Sequence, residues 1–491
     1  MTNDQKDGKE LHLISIKSKN EMTYNFEFNK KPKIISELDP DFKPPILGNK
    51  GFIEAVMQSK HVEDVRISIE RSQGQKSTFQ TIVFDESQNQ FDANCFYLER
   101  LIKSLLWIKG GWKIIFGGPL LLGKYIQKSF SKNGIRAFDV NFMSRIYEFD
   151  FVVEIKDFAD VPLTQETTKS LGRHLNGCRI GFDAGGSDRK VSAVVDGVAI
   201  YSEEVIWYPK LNSDPLYHYE EILSSIKAAA SKMTRVDGIG VSAAGVYIDN
   251  KAMAASLFIK VPLDLFNKHV KHMFINIAKE MGDVPLEVAN DGDITALAGA
   301  MSLDSNQVLG IAMGTSEAAG YVDHDGNITG WLNELAFVPA DYNKEAMIDE
   351  WSMDYGCGVK YFSQDAVIKL APRAGIILNE NLSPADKLKV IQDMVVKNDE
   401  NAIRIFESIG IYLGYNIAYY AEFYDIKHIL ILGRVTSGKG GDQILKYANM
   451  VLETEFKDLS TKIKISLPDE KNKRVGQSIA AASLPLVKEI K

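Results

Sequence analysis

The chain has 491 residues, of which 45% are hydrophobic, 25% charged and 10% aromatic, a composition that excludes disordered, collagenous and membrane-embedded classes. Its 57 Lys and Arg against 65 Asp and Glu leave a formal charge of -8, which supplies no overall pull towards nucleic acid or anionic lipid. Three widely separated cysteines, Cys95, Cys178 and Cys357, fit neither a disulfide framework nor a Cys-x-x-Cys metal site, and point to a reducing compartment.

The polar start MTNDQKDGKE lacks the apolar run of a signal peptide, so a cytoplasmic location is expected. The most apolar window, 105–126, is broken by Lys109, Lys113 and Lys124 and by glycines and a proline, and reads as core rather than as a membrane span. At roughly 150 residues per domain the length corresponds to about three domain-sized units.

Residues 1–172 read as one α/β unit whose chemistry is not legible. Strands are expected over 11–16, 65–69, 81–84 and 112–116, and helices over 96–107 and 120–129. Residues 160–174 read as a linker or surface helix. From Arg179 the texture becomes alternating β and α with glycines at the turns. "CRIGFDAGG" is a strand running into a glycine turn, and "VSAVVDGVAIYSEEV" is a hairpin turning at Asp196-Gly197. A helix over 219–233, the strand in "VDGIGVSAAGV", a helix over 262–280, a strand over 286–289 and a helix over 294–301 follow. A second round then begins, with strands over 308–313 and 318–322, helices from 346 to 424, a strand over 428–432 and a helix over 443–453. Strand, glycine turn, strand occurs in both rounds, the pattern of a duplicated α/β domain.

Two segments imitate the phosphate-loop pattern G-x-x-x-x-G-K-[ST]. Gly118 to Lys124 is followed by Tyr125, and Gly433 to Lys439 by Gly440, so both lack the hydroxyl that should bind Mg²⁺. A different logic is offered by Asp183-Ala184-Gly185-Gly186-Ser187, where glycines admit a phosphate to the backbone, Ser187 supplies a hydroxyl and Asp183 can hold Mg²⁺ through water. Gly314, Thr315 and Ser316 make a second such turn. "ILILGRVTSGKGGD", with Gly433 and Gly438 in its turn, can approach an adenine ring and opens a helix whose N-terminus favours anions. Each could equally be a plain structural turn; the ordered set of three carries more weight than any one. Asn290-Asp291, at a strand end, either caps the next helix or presents a carboxylate that accepts a hydroxyl proton during phosphoryl transfer.

This ordered set, together with Gly240-Val241-Ser242-Ala243-Ala244-Gly245, Gly310, Ile431-Leu432-Gly433 and the tail "VGQSIAAASLP", resembles the ROK family of sugar kinases and repressors, within the actin-like ATPase superfamily. The resemblance covers about 179–487. It implies a duplicated, ribonuclease-H-like two-lobed core with an additional N-terminal α/β domain: an N-lobe over 173–302, a C-lobe over 303–491, and a last helix returning to the N-lobe. It also implies an ATP- and Mg²⁺-dependent transfer of the γ-phosphoryl group to a hydroxyl of a sugar-like small molecule. Asp291 would be the catalytic base and Asp183 the Mg²⁺ residue. Gly185, Gly186 and Ser187 would form the first phosphate site, Gly314, Thr315 and Ser316 the second, and Gly433 and Gly438 the adenosine loop. Asn290, Asp291 and Glu334 would meet the substrate. A homodimer is compatible with this reading and no nucleic-acid partner is expected.

The departures are specific. In "GWLNELAFVP" Glu334 is kept but Phe337 stands at the family's histidine position. In "DYGCGVKYFSQ" Cys357 is the single cysteine, and Val359 stands where a second sugar-binding Glu would fall. One thiolate cannot build a closed tetrahedral zinc site, so no zinc is expected. His269 and His272 read as a solvated pair. Two alternatives stand beside the kinase: a sugar-responsive regulator, although 1–172 show no basic recognition helix, and a nucleotide- or sugar-binding protein without transferase activity.

Overall fold

The computed structural model describes residues 30–166, 171–467 and 473–487; the strand expected over 11–16 lies outside them. The chain forms two compact units. One holds residues 45–166, and the other is built from 33–44 together with 167–491.

The first unit contains α1 (Pro45–Ser59), β1 (Val62–Glu70), β2 (Lys76–Phe84), α2 (Phe91–Lys109), β3 (Lys113–Gly117), α3 (Leu120–Ser129), α4 (Ala137–Tyr147) and β4 (Val152–Lys156). Its sheet has the order β2-β1-β3-β4, antiparallel except for the parallel β3/β4 edge. Helix α2 is buried along most of its length, with Leu98, Ile102, Leu106 and Trp107 in the core, and its charged residues survive burial by pairing: Glu99 with Arg136 and Arg100, and the Trp107 indole N–H with Asp139 at 2.5 Å. The first imitation phosphate loop disappears here, because Leu120 onwards is helix α3 and Gly123 packs closely on Phe116 and Ile155.

The second unit carries two sheets. One is built from β5 (Cys178–Ala184), β6 (Asp188–Val195), β7 (Val198–Ile206), β8 (Gly238–Ala243) and, beyond the short hairpin β9 (Val246–Ile248) and β10 (Lys251–Ala254), β11 (Leu286–Asn290). Its order is β11-β8-β5-β6-β7, with an antiparallel meander over β5, β6 and β7 and parallel pairs at β5/β8 and β8/β11. Helices α5 (Pro215–Ala230) and α6 (Met273–Glu280) occupy the connections into β8 and β11, and α7 (Asp291–Ser302) leaves β11. The other sheet repeats this connectivity: β12 (Val308–Met313) pairs antiparallel with β13 (Glu317–Val322), then parallel with β14 (His428–Leu432), which pairs parallel with β15 (Lys464–Ser466). Helices α8 (Gln364–Arg373), α9 (Pro384–Val396) and α10 (Glu400–Tyr420) lie between β13 and β14, and α11 (Lys439–Glu455) and α12 (Lys457–Lys462) precede β15.

Helix α13 (Lys473–Ala482) packs on β5 and β8 at bare backbone. A Cβ on Gly181 would stand 1.8 Å from the Ser478 carbonyl oxygen, and one on Gly240 would stand 1.6 Å from that of Ala481. Ala480, Ala481 and Ala482 are fully buried in return. Small residues on both sides let helix and sheet approach to backbone distance.

Residues 33–44 join this unit through a dense polar contact. Asp39 pairs with Arg373 and accepts the Tyr412 hydroxyl at 2.6 Å, Phe42 lies 4.7 Å from the Tyr412 ring, and the Lys43 N–H donates to Asp341 at 2.9 Å.

Two sequence expectations are corrected. The helix over 262–280 is interrupted: 266–270 form a wide turn, and the regular helix starts only at Met273. His269 and His272 are both exposed on that broken stretch. The helical run from 346 starts only at Gln364; the segment before it is turns fixed by Asp and Ser side chains, such as Asp349 accepting from the Ser352 N–H at 2.8 Å. Helices α1 and α4 and strand β4 had no prediction. Among the described residues no helix is long and apolar enough to cross a membrane.

Candidate functional site

The C-terminal ends of β5, β8 and β11 bring three polar residues into adjacent register, Asp183 opposite Ser242 and Asn290 opposite Ala243. The Ser242 hydroxyl donates to Asp183 Oδ1 at 2.8 Å. Burial pushes the Asp183 carboxyl up, and the Ser242 bond and the nearby Lys190 charge oppose that shift. The Asn290 side chain also holds the local backbone: its amide donates to the Gly245 carbonyl at 2.8 Å, and its Oδ1 accepts from the Gly292 N–H at 2.7 Å, capping α7.

Asp291 opens α7, and its Oδ1 accepts from the same Gly292 N–H at 3.0 Å. Burial, and next the Asp183 charge, push its carboxyl up to about 6, while the Gly292 N–H and the Lys210 ammonium pull it back. Asp183, Asp291 and Lys210 thus share one electrostatic neighbourhood, and Glu334 joins it, pushed up to about 7 by burial and then by Asp291 and Asp293.

The turn Gly185-Gly186-Ser187 bridges β5 and β6. Trp207 holds both its ends, the indole N–H donating to the Gly185 carbonyl at 2.8 Å and the backbone N–H to the Ser187 carbonyl at 3.2 Å. Gly186 and Ser187 are exposed. A Cβ on Gly186 would meet only the end of Lys210, with Cε at 3.2 Å and Nζ at 3.3 Å, so the backbone there is open to a ligand.

The second turn follows β12. The Gly314 N–H donates to the Ser316 carbonyl at 2.9 Å, and the Gly314 carbonyl accepts from the Gln364 N–H at 2.9 Å. Thr315 and Ser316 are exposed, and a Cβ on Gly314 would meet nothing closer than the Ser316 carbonyl oxygen at 3.7 Å. Gly433, after β14, has a packing reason to be glycine: at φ +102° a Cβ there would lie 2.4 Å from the Met313 carbonyl oxygen. Gly438 has φ +64° with open space around it, and precedes α11. Lys439 of the second imitation phosphate loop lies in that helix and donates to Asn398 at 2.9 Å.

Sequence reading missed three groups here. Lys210 stands in a surface turn without a motif. Asp293, two residues into α7, is buried, pushed up to about 7 by that burial, and accepts from Asn333 at 3.0 Å. Glu317 is 3% exposed, neither carboxylate oxygen has a hydrogen-bond partner among the described residues, and burial holds the group well above the usual carboxylate range, with Glu334 adding to the shift. A Cβ on Gly358, beside Val359, would stand 2.5 Å from Glu317 Oε2. The Cys357 thiol is buried, 3.8 Å from the Asp354 carbonyl oxygen. Among the described residues the one group of three side chains with metal-ligand spacing is Asp323, His324 and Asp325, on the turn after β13.

No protein-family model matches the chain, and no curated protein does. Solved structures are similar to it. A ROK hexokinase from Thermus thermophilus is 14% identical over 62% of this chain and 96% of its own, with a TM-score of 0.48. A ROK family glucokinase from Streptomyces griseus, solved with glucose and AMPPNP, is 18% identical over 62% and 98%, with a TM-score of 0.44. A ROK family transcriptional regulator, homologous to the E. coli MLC protein, is 17% identical over 63% and 79%, with a TM-score of 0.46.

Proposed function

We propose that the second unit is a two-lobed, actin-like ATPase core, with lobes over 173–302 and 303–491, that transfers the γ-phosphoryl group of ATP to a hydroxyl of a sugar or sugar-like molecule. The observation that carries this reading is the pair Asp183, near the end of β5 beside a glycine turn open to a ligand, and Asp291, just past the end of β11, close enough for one charge to raise the other. The regulator and the binding protein without transferase activity need no such base.

The donor set fits the groups the reaction requires. Gly185, Gly186 and Ser187 offer open backbone and a hydroxyl for one stretch of polyphosphate, and Gly314, Thr315 and Ser316 do so for another. The Gly433 to Gly438 loop would take the adenosine. Asp183 is the residue to hold Mg²⁺ through water, and Mg²⁺ bound there would neutralise charge on the phosphate oxygens. The Asp291 carboxylate accepts the proton of the acceptor hydroxyl; the new O–P bond forms as the bond to ADP breaks. Asn290 orients Asp291 as the helix cap, and the Glu334 carboxyl, which makes no hydrogen bond among the described residues, is free to accept from a substrate hydroxyl.

The test is a panel of hexoses, N-acetylhexosamines and polyols assayed with ATP and Mg²⁺, with Asp291→Ala alongside. One acceptor should support ADP release, and the variant should lose that turnover by about 10²–10⁴-fold while binding ATP normally. Turnover unchanged in the variant overturns the assignment of the base. ATP bound without transfer to any acceptor favours the binding protein, the reading that Phe337 and Val359 keep alive.

A further inference from the structure

We propose that Lys210 binds the transferable phosphoryl group above Gly186, acting as the cation of the first phosphate turn. The inference rests on the kinase reading of the same site. Lys210 lies on the short turn Pro209–Leu211 after β7, and its Nζ stands 3.3 Å from where a Gly186 Cβ would be. Its ammonium has no hydrogen bond or ion pair among the described residues. Other cations of this rim are already paired: Lys190 with Asp188 at 3.1 Å, and Arg189 with Glu221.

An exposed lysine is ordinarily mobile, but the backbone that carries this one is fixed. Trp207, 1% exposed, ties its strand end to both ends of the glycine turn through its indole and backbone N–H groups. His218, fully buried, sets one ring nitrogen 2.9 Å from the Pro209 carbonyl oxygen and the other 3.0 Å from that of Asp214. The Tyr208 N–H donates to the Tyr217 hydroxyl at 3.0 Å. The stem of Lys210 is therefore anchored at its base, and its free end lies over the most open glycine of the turn.

Charge balance points the same way. Asp183 and Asp188 flank a turn that has to receive a polyanion, and Lys210 acts on Asp291 as an opposing charge. A compact ammonium close to the phosphoryl oxygens attracts the polyanion, and stabilises charge that shifts between those oxygens during transfer.

Calorimetric titration of the full chain with ATP and with ADP, each with Mg²⁺, compares wild type, Lys210→Met and Lys210→Arg. Lys210→Met should weaken ATP about 10-fold and leave ADP within about twofold, since the lost contact is to the terminal phosphoryl group; Lys210→Arg should recover most of the loss. In turnover, Lys210→Met should lower kcat about 10²-fold and move the acidic limb of the pH profile to higher pH, because Asp291 loses an opposing charge. Equal loss for ATP and ADP, or no loss for either, overturns the role of Lys210. Failure of the wild-type chain to bind ATP at all overturns the kinase reading instead.

Discussion

Ser242 donates a 2.8 Å hydrogen bond to Asp183 across the parallel pair β5/β8, directly opposing the upward push that burial exerts on that carboxyl. The bond favours the ionised form, the one that can hold a cation. Ser242→Ala should therefore raise the Asp183 pKa further and increase the Mg²⁺ concentration needed for half-maximal turnover about 10-fold. A Mg²⁺ titration of ATP turnover measures this. A variant with the wild-type Mg²⁺ dependence would separate Asp183 from the metal.

Asp291 has to be ionised to accept a proton, and its carboxyl is pushed up to about 6. The rate with a saturating acceptor should rise with pH through that value, about tenfold per unit on the acidic side, and level off above it. Asp183 and Glu334 titrate in the same neighbourhood, so the limb belongs to the set rather than to a single group. An activity flat from pH 5 to pH 8 would remove Asp291 from the proton transfer.

Much of this site was legible because it is written in strand ends. An apolar run followed by small residues specifies a buried parallel strand and the turn after it, and the strands over 308–313 and 428–432 lie at the expected bounds. The helix from Pro262 failed where the backbone widens at 266–270, a feature that apolar spacing does not encode. Lys210 was invisible for another reason: its place over Gly186 depends on a Trp207 hydrogen bond to Gly185, 22 residues away in sequence. The same holds for 33–44, whose Asp39 finds Tyr412 373 positions along the chain. Glu317 carries no motif in the sequence; its burial follows from packing around β13.

Gly240 offers a test of how α13 is held. A Cβ there would meet the Ala481 carbonyl oxygen at 1.6 Å, and backbone atoms on both sides leave no flexible side chain to give way. Gly240→Ala should destabilise the second unit by about 3 kcal/mol or more, visible as a lowered thermal midpoint. Gly282→Ala, where nothing lies within 4 Å but φ is +103°, is the control for backbone strain without a clash, and should cost about 1 kcal/mol. Similar losses at the two positions would mean that α13 withdraws readily from the sheet.

Glu317 makes a sharper case, because its two carboxylate oxygens have no hydrogen-bond partner among the described residues and its pKa is held well above its ordinary 4.5. The folded chain keeps this proton at pH values where the unfolded chain has released it. The folded state thus binds more protons, and stability falls as pH rises above about 4.5, by as much as ~1.4 kcal/mol per pH unit until the folded group itself ionises. Glu317→Gln is nearly isosteric and removes the titration, so the variant should gain on the wild type progressively between pH 5 and pH 8. Thermal midpoints across that range read the difference directly. Parallel pH profiles for the two proteins would show that Glu317 is ionised in the folded chain, stabilised by a partner that burial alone does not provide.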